Sequence, residues 1–235
     1  MANILVLAEH DNGQLKLATL SAVGFARKVV ADAGGAFDIL VIGENVGGTA
    51  EQLRAFGAAN VMVADHAQLQ HPVGDKCAHL VAEVAKQRGS TIVVGAASTF
   101  SKDILPRAAA LLDAGMLSDV VDVHRDGDDF IFKRVLFAGN AIATVKLGGT
   151  VKFLTVRAAA FTHPAKGADA SPVVSVSIEA DKLPALVEYG GSEAKVAGRP
   201  DSTEARVVVS GGRGIKTAED FERLNGGLAD VLGGA

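Results

Sequence analysis

The feature that most constrains this chain is a regular alternation, over its first half, of short apolar runs and longer helical stretches that end near glycine. The apolar runs predict strands buried on both faces of a parallel sheet, because they contain few polar residues. The stretches between them carry apolar residues every three or four positions, which is typical of amphipathic helices. The predicted strands are Asn3–Ala8, Phe37–Ile42, Asn60–Ala64 and Thr91–Val94, and the predicted helices are Leu15–Ala33, Thr49–Phe56, Val73–Arg88 and Lys102–Asp113.

This order of elements predicts an α/β fold with a mostly parallel central sheet flanked by helices, because parallel strands need crossover connections. Beyond Gly115 the pattern changes to strand-like runs with short gaps, and Asp126–Asp128 is a hairpin signal between the first two. We expect antiparallel strands here, which either extend the sheet or form a small flap. The runs are Asp119–Arg125, Asp129–Phe137, Ala141–Leu147 and Lys152–Val156, and a further exposed strand is expected at Val173–Glu179.

Gly, Pro and Ser accumulate late in the chain and indicate a domain boundary. We predict an N-terminal α/β domain at residues 1–195, a linker at 196–205, and the beginning of a second α/β domain at 206–235. One strand–helix unit cannot bury its own faces, so this last segment either docks on the first domain or belongs to a domain that is cut short. Its predicted elements are the strand Arg206–Ser210, the turn Gly211–Gly214 and the helix Thr217–Leu224.

Composition and charge exclude several function classes. The net charge of −4 offers no attraction for nucleic acid or for an anionic membrane. No run of 18 apolar residues exists to span a membrane, and the N-terminus lacks the basic region of a signal peptide. Cys77 is the only cysteine, so no intrachain disulfide can form, which suits a reducing compartment. We expect a bacterial cytoplasmic protein, or a mitochondrial matrix protein whose presequence has been removed.

The motifs of several common enzyme classes are missing. The sequence has no G-x-x-x-x-G-K-[ST] loop, no G-x-G-x-x-G after the first strand and no G-x-S-x-G elbow. The six histidines are scattered, and a metal site needs three or four converging ligands, so we expect no metal site and name no catalytic residue. Cys77 lies on an apolar helix face, where a cysteine usually behaves as a small buried hydrophobic residue.

Gly95–Ser101 is the first of two candidate binding segments. It follows a predicted parallel strand and leads into a helix, which is where open α/β sheets bind ligands. The hydroxyls of Ser98, Thr99 and Ser101 could donate hydrogen bonds to an anion. The alternative, which we favour because it is common, is that one hydroxyl caps the helix.

Ser210–Gly214 is the second and sharper candidate. Its three glycines allow a ligand to approach the backbone closely, and Arg213 has no acidic neighbour in sequence. Arg213 is therefore free to face an anion or an electron-rich ring. Thr217 and Asp220, three residues apart, form the pattern of a capping box for the helix that follows. The alternative is a surface turn with a solvated arginine.

Five segments of the chain together resemble the alpha subunit of electron transfer flavoproteins. The resemblance extends over all 235 residues, but the family continues past the equivalent of Ala235 with a flavin-binding domain that holds most of the FAD contacts. The resemblance assigns Arg213 to the flavin, and we place the adjacent Gly212 in the same cofactor site. The segments are NILVLAEH (Asn3–His10), LPRAAALLDAGMLSDV (Leu105–Val120), FAGNAIATVK (Phe137–Lys146), TVRAAAF (Thr155–Phe161) and VVSGGRGIKTAEDFERL (Val208–Leu224).

The resemblance implies an electron carrier without substrate turnover of its own. Such a subunit pairs with a β subunit, holds FAD, accepts single electrons from acyl-CoA and related dehydrogenases in fatty acid β-oxidation, and passes them to a membrane quinone oxidoreductase. AMP and the dehydrogenase-recognition loop are expected on the β subunit. We expect some of the β-rich stretch Asp119–Val156 to face that partner, the alternative being that it packs on its own sheet, and we expect the 235-residue chain alone to hold FAD poorly.

Two other classes of α/β nucleotide-binding protein stay open. The turn is similar to the S-G-G-x-D loop of ATP-pyrophosphatase enzymes, but Gly214 stands where that loop has aspartate. A stress-protein-like nucleotide binder fits the first strands, but no glycine-rich phosphate loop follows the fourth strand. Release of AMP from ATP would favour the pyrophosphatase, whereas a yellow colour on purification with the partner would favour the flavoprotein.

Overall fold

The computed structural model describes residues 1–193 and 198–235, which divide into the units Met1–Tyr189 and Gly190–Ala235. The end of the predicted first domain at residue 195 and the first two positions of the predicted linker lie outside the described residues. The domain boundaries that the sequence indicates therefore stay predictions.

A nine-stranded sheet forms the centre of the first unit and confirms the predicted α/β fold. The strands are β1 (Ala2–Leu7), β2 (Gly35–Gly43), β3 (Asn60–Asp65), β4 (Ile92–Ala96), β5 (Gly115–Asp126), β6 (Asp129–Leu136), β7 (Ala141–Lys146), β8 (Lys152–Val156) and β9 (Val173–Ser175). Their order in the sheet is β9-β3-β2-β1-β4-β8-β5-β6-β7, and only the β5–β6 and β6–β7 pairs are antiparallel. A separate hairpin pairs His10–Asp11 with Gln14–Leu15.

Helices cover both faces of this sheet. Successive side chains of β1 point to opposite faces, so Ile4 and Val6 join one apolar cluster and Leu5 and Leu7 join the other. The first cluster packs against α1 and α2, and the second packs against α3 and α4. Among the residues described, no helix is long and apolar enough to cross a bilayer. The helices are α1 (Ala18–Ala33), α2 (Gly47–Leu53), α3 (Gly74–Arg88) and α4 (Thr99–Leu111), with a 3₁₀ turn at Arg54–Phe56 after α2.

The prediction for Lys152–Val156 is wrong in one respect, because β8 is parallel to both of its neighbours. It lies between β4 and β5 rather than in the antiparallel extension, which consists of β5, β6 and β7. Phe153 and Leu154 face opposite clusters and are fully buried, so both faces of β8 are covered. A strand with two apolar faces belongs in the interior of a sheet.

The exposed strand predicted at Val173–Glu179 is shorter than expected. It reduces to the three residues of β9, which pair in parallel with β3 at one edge of the sheet. Val176 N–H still donates to the Val63 carbonyl (2.8 Å), and the Val176 and Ile178 side chains pack against the apolar cluster beneath α3 and α4.

The strand predicted at Arg206–Ser210 in the second unit is wrong, because these residues have an irregular backbone. Val209 N–H donates to the Ala235 carbonyl (2.8 Å), and Ala235 N–H donates to the Val207 carbonyl (3.0 Å). These two bonds are no substitute for a ladder, and the described part of this unit contains no other strand to supply one.

The predicted helix Thr217–Leu224 exists but continues further. Thr217 caps it as predicted, because its Oγ1 accepts a hydrogen bond from Asp220 N–H (3.0 Å). The helix ends at Gly233, which has a left-handed backbone with φ of 62°. It consists of α5 (Ala218–Phe221), a π-helical turn (Glu222–Gly226) and α6 (Gly227–Leu232).

Arg199, within the predicted linker, forms ion pairs with two carboxylates of this helix. Its Nε and Nη2 donate to Asp230 (2.7 and 3.0 Å), and Nη1 and Nη2 donate to Glu222. These hydrogen bonds lower the pKa of both carboxyl groups. The guanidinium lies against Gly226, where an added Cβ would stand 2.7 Å from Nη2. A larger residue at Gly226 would therefore have to displace this ion pair.

Candidate functional site

The glycine turn holds Arg213 at the surface of the second unit. The Gly212 carbonyl accepts a hydrogen bond from Ile215 N–H (3.1 Å), which closes a four-residue turn with Arg213 and Gly214 at its centre. Arg213 is exposed, and its guanidinium makes no hydrogen bond or ion pair with the residues that the structure describes. The described chain leaves this cation available to a ligand.

The three glycines of the turn differ in how much space an added Cβ would have. An added Cβ at Gly211 would stand 2.7 Å from Ile215 Cδ1 and 2.8 Å from Asn225 Nδ2, so a larger residue there would have to displace both side chains. At Gly212 and Gly214 an added Cβ would meet no atom within 4 Å, and neither residue has a positive φ. Within the described residues, neither packing nor backbone conformation requires glycine at these two positions.

Two open glycines that flank an unpaired arginine suit the close approach of a ligand to the backbone. The guanidinium can pair with an anion or lie against an aromatic ring, and the bare backbone leaves room for a flat molecule. The residues present therefore fit a flavin. The structure contains no contact that tests this role, so the assignment of Arg213 and Gly212 stays a prediction.

The segment Gly95–Ser101 is a helix cap. Ser98 is the N-cap of α4, and its Oγ accepts a hydrogen bond from Ser101 N–H (3.3 Å). Ser101 is fully buried against Gly95, where an added Cβ would stand 2.5 Å from the Ser101 Oγ. This confirms the capping interpretation, and the glycine in β4 is explained by the serine packed against it.

Four of the six histidines make local structural contacts, as His10 and His71 illustrate. His10 Nε2 lies 2.9 Å from the Ile42 carbonyl oxygen, and the His71 ring stacks on Tyr189 with 3.7 Å between centroids. Cys77 is buried, and burial raises the pKa of its thiol to about 12, which leaves it protonated and unreactive. No group of three or more His, Cys, Asp or Glu converges as a metal site within the residues described.

A charged cluster that the sequence analysis missed lies where β5 leaves β8. Asp119 has a positive φ of 59°, and the register between the two strands shifts beside it. Its N–H donates to Thr155 Oγ1 (2.9 Å), and Arg157 Nε donates to its Oδ1 (3.1 Å). The hydrogen bond from Arg157 lowers the pKa of Asp119, and the charges of Lys102 and Arg134 lower it further. Three cations therefore surround one carboxylate.

This lowered pKa predicts a pH-dependent contribution to stability. The contribution is present above the ordinary aspartate pKa near 3.9 and is lost as pH falls through the lower folded value. Because the Arg157 and Asp119 side chains are 42% and 28% exposed, it is at most about 1 kcal/mol. Asp119→Asn keeps a residue that tolerates positive φ but removes the charge. We expect it to destabilise the chain at pH 7 and to match the wild type near pH 2.

The measurement is urea denaturation of both proteins from pH 7 down to pH 2. Asp32→Asn on α1, an exposed aspartate, is the matched control and is expected to follow the wild type throughout. A constant stability difference between Asp119→Asn and wild type across this range would contradict the prediction.

The nine-stranded sheet defines an α/β protein, and the glycine turn of the second unit presents an exposed arginine that is unpaired within the described residues. The family model of the electron transfer flavoprotein domain matches residues 4–181. The chain belongs to the electron transfer flavoprotein family.

Its relatives are named as alpha subunits of that protein. The chain is 40% identical to electron transfer flavoprotein subunit alpha of Pseudomonas aeruginosa, over 99% of this chain and 72% of the relative. It is 37% identical to the mitochondrial subunit alpha of Dictyostelium discoideum (98% and 66%) and to subunit alpha of Bradyrhizobium diazoefficiens (97% and 69%). The chain thus spans about two thirds to 72% of the length of these relatives.

Proposed function

We propose that this chain acts as the alpha subunit of a heterodimeric electron transfer flavoprotein. The FAD of the heterodimer accepts single electrons from acyl-CoA and related dehydrogenases and passes them to a membrane quinone oxidoreductase. The chain turns over no substrate itself, and its β subunit carries AMP. The proposed location is the bacterial cytoplasm, or the mitochondrial matrix in a eukaryote. Family membership and the names of the relatives support this function.

The observation that carries the flavin assignment is the open turn around Arg213. FAD supplies the one-electron chemistry when bound, and the chain supplies binding and orientation. Arg213 is a cation that nothing else in the described chain engages, and Gly212 leaves its backbone bare. A guanidinium beside a flavin ring would anchor it and favour the negative charge that reduction adds.

The test is the flavin content of the purified heterodimer. The chain is co-expressed with the β subunit of the same source, and FAD is quantified by absorbance. We expect one FAD per heterodimer, bleached when an acyl-CoA dehydrogenase and its substrate are added. The chain alone is expected to bind FAD only weakly, because one arginine contact supplies few of the charge-assisted bonds that tight binding needs. A heterodimer that holds no flavin would refute the proposal, as would release of AMP from ATP.

A matched pair of glycine variants tests the site itself. Gly212→Ala places a methyl group on the open turn, and Gly148→Ala does the same at another open glycine without positive φ. We expect both variants to keep the wild-type unfolding midpoint, and only Gly212→Ala to weaken FAD binding, by about 10-fold. Equal FAD affinity in the two variants would remove Gly212 from the site.

A further inference from the structure

The helix that follows the glycine turn contains a buried side-chain amide without a partner. Asn225 is 7% exposed, so more than nine tenths of its surface is removed from water. Its side chain makes no hydrogen bond to a residue that the structure describes. An asparagine amide offers two N–H donors and an acceptor oxygen, and leaving such groups unpaired in the interior costs stability. A ligand that hydrogen-bonds this amide would remove that cost.

Asn225 is directed at the first glycine of the turn that carries Arg213. A Cβ added at Gly211 would stand 2.8 Å from Asn225 Nδ2 and 3.0 Å from Phe221 Cε2. Phe221 is 43% exposed, so this side of the turn is open to the surface. The unpaired amide therefore lies next to the backbone of the candidate site and beside an accessible aromatic ring.

The helix is irregular at the position of this amide. Asn225 lies in the π-helical turn Glu222–Gly226, between α5 and α6. A π turn closes with hydrogen bonds one residue longer than those of an α-helix, and single π turns within α-helices occur frequently at functional sites. Asparagine is also a weaker helix former than alanine or leucine. Neither helix propensity nor a hydrogen bond within the described chain therefore accounts for an asparagine here.

We infer that Asn225 is a further residue of the flavin site, and that its amide hydrogen-bonds a polar edge of the ring beside Arg213. This inference rests on the proposed function and adds one residue to its site. A flavin ring carries N–H and C=O groups of the amide type, and an asparagine side chain can donate to one and accept from the other. Because Asn225 makes no side-chain hydrogen bond within the described chain, binding gains these bonds without breaking others there.

The first test distinguishes a binding amide from a structural one in the FAD-free chain. Asn225→Leu is compared with Asn60→Leu on β3, because the Asn60 amide has a partner and donates to Asp38 Oδ1 (2.8 Å). Hydrogen exchange of backbone amides is followed by mass spectrometry. We expect Asn225→Leu to slow exchange at residues 218–232 by about 5-fold, because an unpaired polar group is removed. Asn60→Leu breaks a hydrogen bond and should speed exchange in β3.

The second test measures FAD binding by the heterodimer with the β subunit. Fluorescence titration of the flavin-depleted heterodimer gives the affinity. We expect Asn225→Leu to weaken FAD binding by about 10-fold, and Asn60→Leu to change it by less than about 2-fold. Loss of a hydrogen bond to the ring should also displace the absorption bands of the bound flavin in Asn225→Leu, which a purely structural role would not do.

The outcomes separate this inference from the proposed function. If the wild-type and Asn225→Leu heterodimers bind FAD equally, the proposed function stands and Asn225 is not part of the site. If the wild-type heterodimer holds no flavin, both the proposed function and the inference are refuted. If Asn225→Leu speeds hydrogen exchange at residues 218–232, the amide stabilises the helix and the inference is wrong, whatever the FAD affinity of the variant.

Discussion

Replacing Gly35 with alanine is expected to lower the free energy of unfolding by about 3 kcal/mol or more, the largest stability effect we expect of a single methyl group in this chain. Gly35 is the first residue of β2 and has φ of 114°. Its added Cβ would stand 1.9 Å from the carbonyl oxygen of Ala2 in the neighbouring β1. Because the added Cβ would meet only backbone atoms of Ala2, the variant can relieve the clash only by moving β1 and β2 apart.

The adjacent glycine provides a matched control for backbone strain alone. Gly34 has φ of 69°, but an added Cβ there would meet nothing within 4 Å. Gly34→Ala should therefore cost about 1–2 kcal/mol from backbone strain alone, because its ψ of 172° places it in a region that residues other than glycine rarely adopt. Urea denaturation followed by circular dichroism measures both variants. If they lose the same stability, the contact with Ala2 is unimportant and the prediction is wrong.

Arg213→Ala in the flavin-loaded heterodimer is expected to lower the first reduction potential of FAD by several tens of millivolts up to about 130 mV. A fixed positive charge beside the ring favours the added electron, and removal of a charge-assisted contact costs about 1.5–3 kcal/mol. For a one-electron step, 59 mV corresponds to about 1.4 kcal/mol. The measurement is a spectroelectrochemical titration at constant FAD occupancy.

Two further variants show whether the effect depends on the guanidinium at this position. Arg213→Lys should recover only part of the potential, because an ammonium on a flexible stem cannot lie flat against a ring. Arg206→Ala removes another exposed arginine of the same unit and should leave the potential unchanged. If the Arg213→Ala heterodimer keeps full FAD occupancy and an unchanged reduction potential, Arg213 is only a solvated surface residue and the prediction is wrong.

The first four strands of the parallel core were predictable because each has a local sequence pattern. β1 to β4 are apolar runs of the length that crosses a sheet, and the helices between them end near glycines that adopt positive φ, as at Gly57 and Gly89. The place of β8 was not predictable in the same way. An apolar run records that both faces are covered, but it carries no signal for which strands lie beside it.

The errors in the second unit have a different cause. Arg206–Ser210 has the composition of a strand, but strand formation depends on a neighbour to pair with, and the described part of this unit offers only Ala235. The helix was predicted to end at Leu224, but it runs on through Gly226 to Leu232. Gly226 lies against the ion pair of Arg199 with Glu222, which is a contact between residues distant in sequence.

The candidate site was predictable only as a motif. Glycines around Arg213 indicated a binding turn, but only the structure shows that Gly211 lies against other side chains and that Gly212 and Gly214 do not. The 78% exposure of Phe137, in the turn between β6 and β7, could not be predicted for a related reason. An aromatic residue at the end of an apolar strand normally indicates burial, and the positive φ that turns it outward leaves no distinctive mark in composition.

The central position of β8 also governs how the chain can be assembled during synthesis. β4 and β5 do not pair with each other, because β8 lies between them. About sixty residues separate Ala96 from Val156, so at about 5–20 residues per second a ribosome leaves these two strands unjoined for several seconds. During that interval the nascent chain exposes two apolar strand edges that template aggregation. A chaperone that shields them would act on this intermediate rather than on the finished sheet.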